Sequence, residues 1–100
     1  MLFIHRIREL WESKQMLQRH ISAALDIDNA MYCKIERGER QAKREQIPLI
    51  AEILKTDTKE LLALWLADQV TAVVVESDKE ISDKVLRIAK KNINKNNNNE

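Results

Sequence analysis

Glycine and proline are nearly missing from this sequence, since each occurs once in 100 residues, as Gly38 and Pro48. Turns between strands depend on both residues, whereas helix interiors exclude them. This scarcity argues against a sheet-rich domain and predicts an all-α fold.

Three further absences bear on where the protein works. The single cysteine, Cys33, excludes an internal disulfide, and a lone thiol is typical of a reducing cytosol. The apolar start, MLFIHRIREL, is interrupted by charges, so we expect no signal peptide. No apolar run reaches the roughly 18 residues of a membrane span. Together these features predict a cytoplasmic protein.

Catalytic and metal-binding patterns are also missing. His5 and His20 have no partners at metal-ligand spacing, and no Ser/His/Asp, Cys/His or Gly-rich phosphate-loop pattern occurs. We therefore expect no enzyme activity, no metal site and no cofactor.

Charge is distributed unevenly along a chain whose formal net charge is only +1. Residues 13–44 carry seven Lys or Arg against four Asp or Glu, and residues 81–100 carry five against two. Residues 45–80 carry three against eight. The two basic stretches are candidates for contact with a polyanion.

Apolar residues recur at helical spacing through most of the chain. This spacing, with cap residues, predicts helices over 3–14, 18–25 and 29–37, a fourth from Arg44 or Glu45, a fifth after the Asp57-Thr58-Lys59-Glu60 cap, and a sixth over 79–92. Residues 71–75, TAVVV, fit either a helix extension or a short strand. Asp28 is placed to cap the third helix, and Gly38 is placed to end it at positive φ.

The second and third helices are joined by a three-residue turn, which predicts a helix-turn-helix unit. From Ile7 to Leu62 the chain resembles the phage repressor/Cro (XRE-type) helix-turn-helix family. The motifs that carry this resemblance are Gln18 opening the second helix, Ile21-Ser22 in place of a Leu-Ala pair, the Asp26-Ile27-Asp28 turn, and Tyr32-Cys-Lys-Ile35-Glu36-Arg-Gly38.

The resemblance implies a five-helix, lambda-repressor-like DNA-binding domain, usually dimeric, that acts as a bacterial transcriptional regulator such as a repressor. We assign this domain to residues 1–70, a C-terminal extension with a short dimerisation helix to 71–91, and a disordered Asn-rich tail to 92–100. The chain departs from the family at four positions, one of which is Pro48, an unusual residue in the fourth helix. Asp26 replaces a Gly, Leu17 replaces a capping Ser or Thr, and Trp11 replaces an Arg that pairs with the signature Glu, here Glu36. The partner of Glu36 is therefore left open.

The resemblance also places the start of the third helix in the DNA major groove. Base contacts are then expected from the exposed residues of that helix: Asn29, Ala30, Met31 and Lys34. Phosphate contacts are expected from donors at the second helix and in the basic loop: Gln18, Arg37, Arg40, Lys43 and Arg44. Tyr32 and Ile35 are predicted core residues.

The segment LLALWLADQV is apolar on more than one face, which predicts burial across a homodimer axis. The predicted interface consists of Leu62, Trp65, Leu66, Ile81, Val85 and Ile88. The expected partners are double-stranded DNA, a second copy of the chain and RNA polymerase. The alternative is a protein-interaction module that binds a toxin-like partner through 61–75.

Overall fold

The computed structural model describes residues 1–98. Its elements are α1 (Leu2–Ser13), α2 (Gln18–Ala24), α3 (Asn29–Glu36), a 3-10 turn (Arg44–Gln46), α4 (Ile47–Leu54), α5 (Thr58–Val74) and α6 (Lys79–Asn98). No strand occurs within the described residues, which confirms the all-α prediction. None of their helices is both long enough and apolar enough to cross a membrane.

The chain separates into two compact units, and the first covers Met1–Asp68. Its core is apolar and draws on α1 to α5. The buried residues are Phe3, Ile4, Ile7, Ile21, Leu25, Tyr32, Ile35, Ala42, Ile47, Ile50, Ala51, Leu54 and Leu61. The apolar residues that recur at helical spacing in the sequence are thus the residues that form this core.

The first helix has its N-terminus capped from far along the chain. The backbone N–H groups of Leu2 and Phe3 donate to the two carboxylate oxygens of Asp68 at 2.9 and 3.0 Å. Free N–H groups at a helix start favour an acidic partner. Asp68 therefore fastens α1 to α5, a contact across 65 residues that the sequence pattern does not reveal.

The second unit begins at Gln69 and contains the end of α5 and α6. Residues 71–74 continue α5, so the choice between helix and strand is settled in favour of helix. Asp78 caps α6, because its Oδ1 accepts from the Ile81 N–H at 2.9 Å. The Ser82 hydroxyl donates to the Val74 carbonyl at 2.9 Å, which closes the turn between the helices.

The prediction of a disordered tail from residue 92 is wrong for 92–98, which continue α6. No Gly or Pro follows Pro48, so nothing interrupts a helix once Asp78 has started it. Elongation adds a hydrogen bond for each residue fixed, even through weak helix formers such as asparagine. Residues 99–100 lie outside the described residues.

Four helices are followed by a residue whose backbone is in the left-handed region, and only one of these four residues is a glycine. Gln15, Asp26 and Lys55 have φ of 57°, 55° and 53°, and Gly38 has φ of 78°. A side chain at such a φ costs roughly 1–2 kcal/mol. A second reason favours glycine at position 38, because a Cβ there would lie in tight contact with the Met1 Sδ, at 3.3 Å.

Replacing Lys55 with Gly is expected to raise the free energy of unfolding by about 0.5–1 kcal/mol, because the left-handed strain is relieved. The opposite change, Gly38→Ala, is expected to lower it by about 1 kcal/mol through strain and crowding against Met1. Urea unfolding of both variants and the parent chain measures the two effects. A destabilised Lys55→Gly variant would contradict this explanation of the helix ends.

Candidate nucleic-acid interface

The third helix begins at a capped residue that leaves its first turn exposed. Asp28 accepts from the Met31 N–H at 2.7 Å, as expected for an N-cap. Asn29, Ala30 and Lys34 are exposed, and Met31 is half-buried. Three of the four residues predicted to contact bases are therefore exposed on this short helix, and the fourth is half-buried.

The inner side of α3 is fixed in the core. Tyr32 and Ile35 are 1% and 4% exposed, so both are core residues as predicted. Because α3 also packs against α2, the position of its exposed face is fixed relative to the core. A fixed helix can hold several side chains at the spacing that a set of base edges demands.

Glu36 is the centre of a buried polar network that joins three helices. Its side chain is 2% exposed. One carboxylate oxygen accepts from the Trp11 indole Nε1–H at 2.9 Å, and the other accepts from the Gln18 amide. The Arg8 guanidinium lies 3.6 Å from the second oxygen and is half exposed. Trp11 thus supplies a neutral hydrogen bond to Glu36, which answers the question of its partner.

The side chain of Gln18 is used inside the protein. Its amide nitrogen donates to Glu36, and its amide oxygen accepts from the Cys33 thiol at 3.5 Å. Gln18 therefore joins the start of α2 to α3. The same thiol receives a weak contact from the Asn29 amide at 3.9 Å.

The Tyr32 hydroxyl is a buried polar group that the sequence does not mark. No hydrogen-bond partner for it is found within residues 1–98. Burial, and then the nearby Glu36 carboxylate, raise the pKa of this phenol well above its usual range. Tyr32 therefore stays neutral at physiological pH and contributes packing beneath α3.

Gly38 ends α3 and turns the chain into the basic loop. The Gly38 N–H donates to the Ile35 carbonyl at 3.1 Å, and the Glu39 N–H donates to the Lys34 carbonyl at 2.9 Å. These two bonds form the Schellman arrangement that the position of the glycine predicts. The loop that follows reaches the 3-10 turn, where the Lys43 N–H donates to the Gln46 Oε1 at 2.8 Å.

The four cations predicted to hold phosphates fall into two groups. Arg37 is exposed but paired with Glu39, whose Oε2 lies 2.7 Å from its nearest guanidinium nitrogen. Arg40, Lys43 and Arg44 are exposed, and none forms an ion pair within residues 1–98. These three side chains form the basic loop's unneutralised surface, here called the cationic loop.

The residues predicted to form a dimer interface are not equivalent. Leu62 and Trp65 are partly buried against the core of the first unit. The Trp65 indole N–H donates to the Ala42 carbonyl at 2.9 Å, so this residue is held inside its own chain. Leu66 is 38% exposed. In the second unit, Ile81, Val85 and Ile88 are 41–58% exposed.

Comparisons with protein-family models, with curated proteins and with solved structures found no match for this chain.

Proposed function

We propose that this protein is a sequence-specific DNA-binding transcriptional regulator that binds a pseudopalindromic operator as a dimer. In this proposal α2 and α3 form a lambda-repressor-like helix-turn-helix, with α3 in the major groove. The observation that carries the proposal is the two-sided character of α3. Tyr32, Ile35 and Glu36 are buried on one side, while Ala30 and Lys34 are exposed on the other and Asn29 is exposed in the first turn.

The exposed residues match the chemistry of base edges. Asparagine can donate to and accept from adenine N7 and N6, and lysine can donate to guanine O6 and N7. Ala30 and Met31 offer apolar contact to a thymine methyl group. Because a B-form major groove admits a single α-helix, a short helix with these residues in its first two turns can reach several adjacent base pairs.

The cationic loop supplies the sequence-independent part of the proposed interaction. It follows α3 directly, so it lies beside the groove that α3 enters, where phosphate oxygens line both edges. Arg40, Lys43 and Arg44 carry positive charge that no acid within residues 1–98 neutralises. By the family resemblance, Arg44 also reaches toward the minor groove near the dimer axis. Regulation would then follow from blocking the operator or from contact with RNA polymerase.

Selection of bound sequences from a random duplex pool tests the proposed function. The expected product is a pseudopalindrome whose half-sites are centred about 10 base pairs apart, one helical turn, or a multiple of that spacing. The matched control is the double variant Asn29→Ala, Lys34→Ala, which keeps the cationic loop and should retain DNA without enriching a sequence. No enrichment by the parent chain would contradict the proposal and favour a protein-interaction module.

A further inference from the structure

The second unit leaves nearly all of its apolar surface open. No residue of α6 is buried through residue 96. The exposed large apolar side chains of this unit are Val70, Val73, Val75, Ile81, Val85, Leu86, Ile88 and Ile93, between 41% and 78% exposed. A unit of about this size, below roughly 40 residues, usually needs a disulfide, a metal or an oligomer to be stable. It contains no cysteine, and no metal-binding group is found among the described residues.

The apolar and charged residues of α6 occupy opposite sides of the helix. At about 100° per residue, the uncharged positions from 81 to 96 fill an arc of about 160°, apart from Asn94. The charged residues fill the remaining side. A two-stranded coiled coil covers a narrower stripe than this arc. Covering the whole arc of α6 therefore requires more than one neighbouring helix.

The charge of the unit changes sign along the chain. Residues 76–83 contain four acids and one lysine, whereas residues 84–95 contain five bases and no acid. Two copies of α6 packed in parallel would place basic ends side by side. In an antiparallel pair, the acidic start of each helix lies along the basic end of the other. The two helix dipoles are then antiparallel, which is also favourable.

We propose that α6 packs antiparallel against α6 of a second copy, about a two-fold axis between Val85 and Ile88. Each α6 contributes its apolar arc, and the exposed valines at the end of α5 cover the rest, which gives a four-helix arrangement. Such a contact is isologous, because each copy presents the same surface. The proposal specifies the dimer part of the proposed function: it keeps Ile81, Val85 and Ile88 of the predicted interface and leaves out Leu62 and Trp65.

Disulfide trapping in the full chain tests this arrangement. In a Cys33→Ser background, Ile81→Cys and Asn92→Cys are prepared separately, one of them labelled with ¹⁵N, then mixed, allowed to exchange and oxidised. An axis between Val85 and Ile88 places position 81 opposite position 92 of the partner. Mass spectrometry should therefore find mainly the mixed disulfide. Predominant disulfides of each variant with itself would indicate a parallel pair and overturn the proposal.

Sedimentation equilibrium supplies a measurement that needs no cysteine. The parent chain should dimerise, and the double variant Lys90→Glu, Lys91→Glu should raise the dimer dissociation constant about tenfold. Lys55→Glu, an exposed lysine of the first unit, is the control and should leave it unchanged. A monomeric parent chain, or equal effects of the two sets, would overturn the proposal. Trapping at 81 and 92 without any DNA binding would instead support the pairing and contradict the proposed function.

Discussion

Replacing Glu36 with Ala is expected to lower the free energy of unfolding by about 3 kcal/mol. The change removes a buried carboxylate that accepts from the Trp11 indole and the Gln18 amide. Both donors, which are half-buried, would then lose their partner, and α3 would lose its hydrogen bonds to α1 and α2. Chemical denaturation followed by circular dichroism measures the effect.

The matched control for this prediction is Glu39→Ala. Glu39 lies three residues further on and pairs with Arg37, but both side chains are more than half exposed. Its removal is expected to cost at most about 0.5 kcal/mol. Trp11→Phe should fall between the two, at about 1–2 kcal/mol, since Glu36 would lose one donor of its network. Equal costs for Glu36→Ala and Glu39→Ala would show that the buried network does not hold α3.

Lys34→Ala is expected to weaken binding to the selected operator by about 30-fold or more. One lost base contact costs roughly 1–3 kcal/mol, and a dimer loses it at both half-sites. Binding to unrelated DNA should fall far less, because Lys34 reads bases in the proposal. Fluorescence anisotropy with operator and scrambled duplexes measures the ratio. An equal loss on both duplexes would mean that Lys34 contacts phosphate.

The sequence predicts the helices of the first unit closely because their signals are local. Asp28 as a cap, Gly38 as a terminator, and Tyr32 and Ile35 as core residues all follow from spacing along one or two turns. The observed ends of α1 to α3 differ from the predicted ends by one residue. Local chemistry determines these features, so they can be read without tertiary information.

Hydrogen bonds between residues that are far apart in the chain could not be predicted from local spacing. The Asp68 cap on α1 and the Trp11–Glu36 hydrogen bond join residues 65 and 25 positions apart. The hydrogen bonds of the Gln18 amide with Glu36 and Cys33 also depend on the packing of α2 against α3. Composition also misled at the C-terminal end, where asparagine content predicted disorder and α6 continues to Asn98.

Salt dependence of DNA binding tests the central claim, that α3 reads bases while the cationic loop holds phosphates. If each subunit neutralises about four phosphates, log K should fall with log salt concentration at a slope near −7 for the dimer. Lys43→Ala should make that slope shallower by nearly two, and Lys59→Ala, an exposed lysine in the acidic stretch, should leave it unchanged.

Asn29→Ala completes the measurement, because it removes a neutral side chain. It should leave the slope unchanged while reducing the preference for operator over scrambled DNA. We therefore expect Lys43 to govern the salt slope and Asn29 to govern the sequence preference. A reversed pattern, in which Lys43 governs sequence preference and Asn29 governs the salt slope, would contradict it and show that α3 is not the helix in the groove.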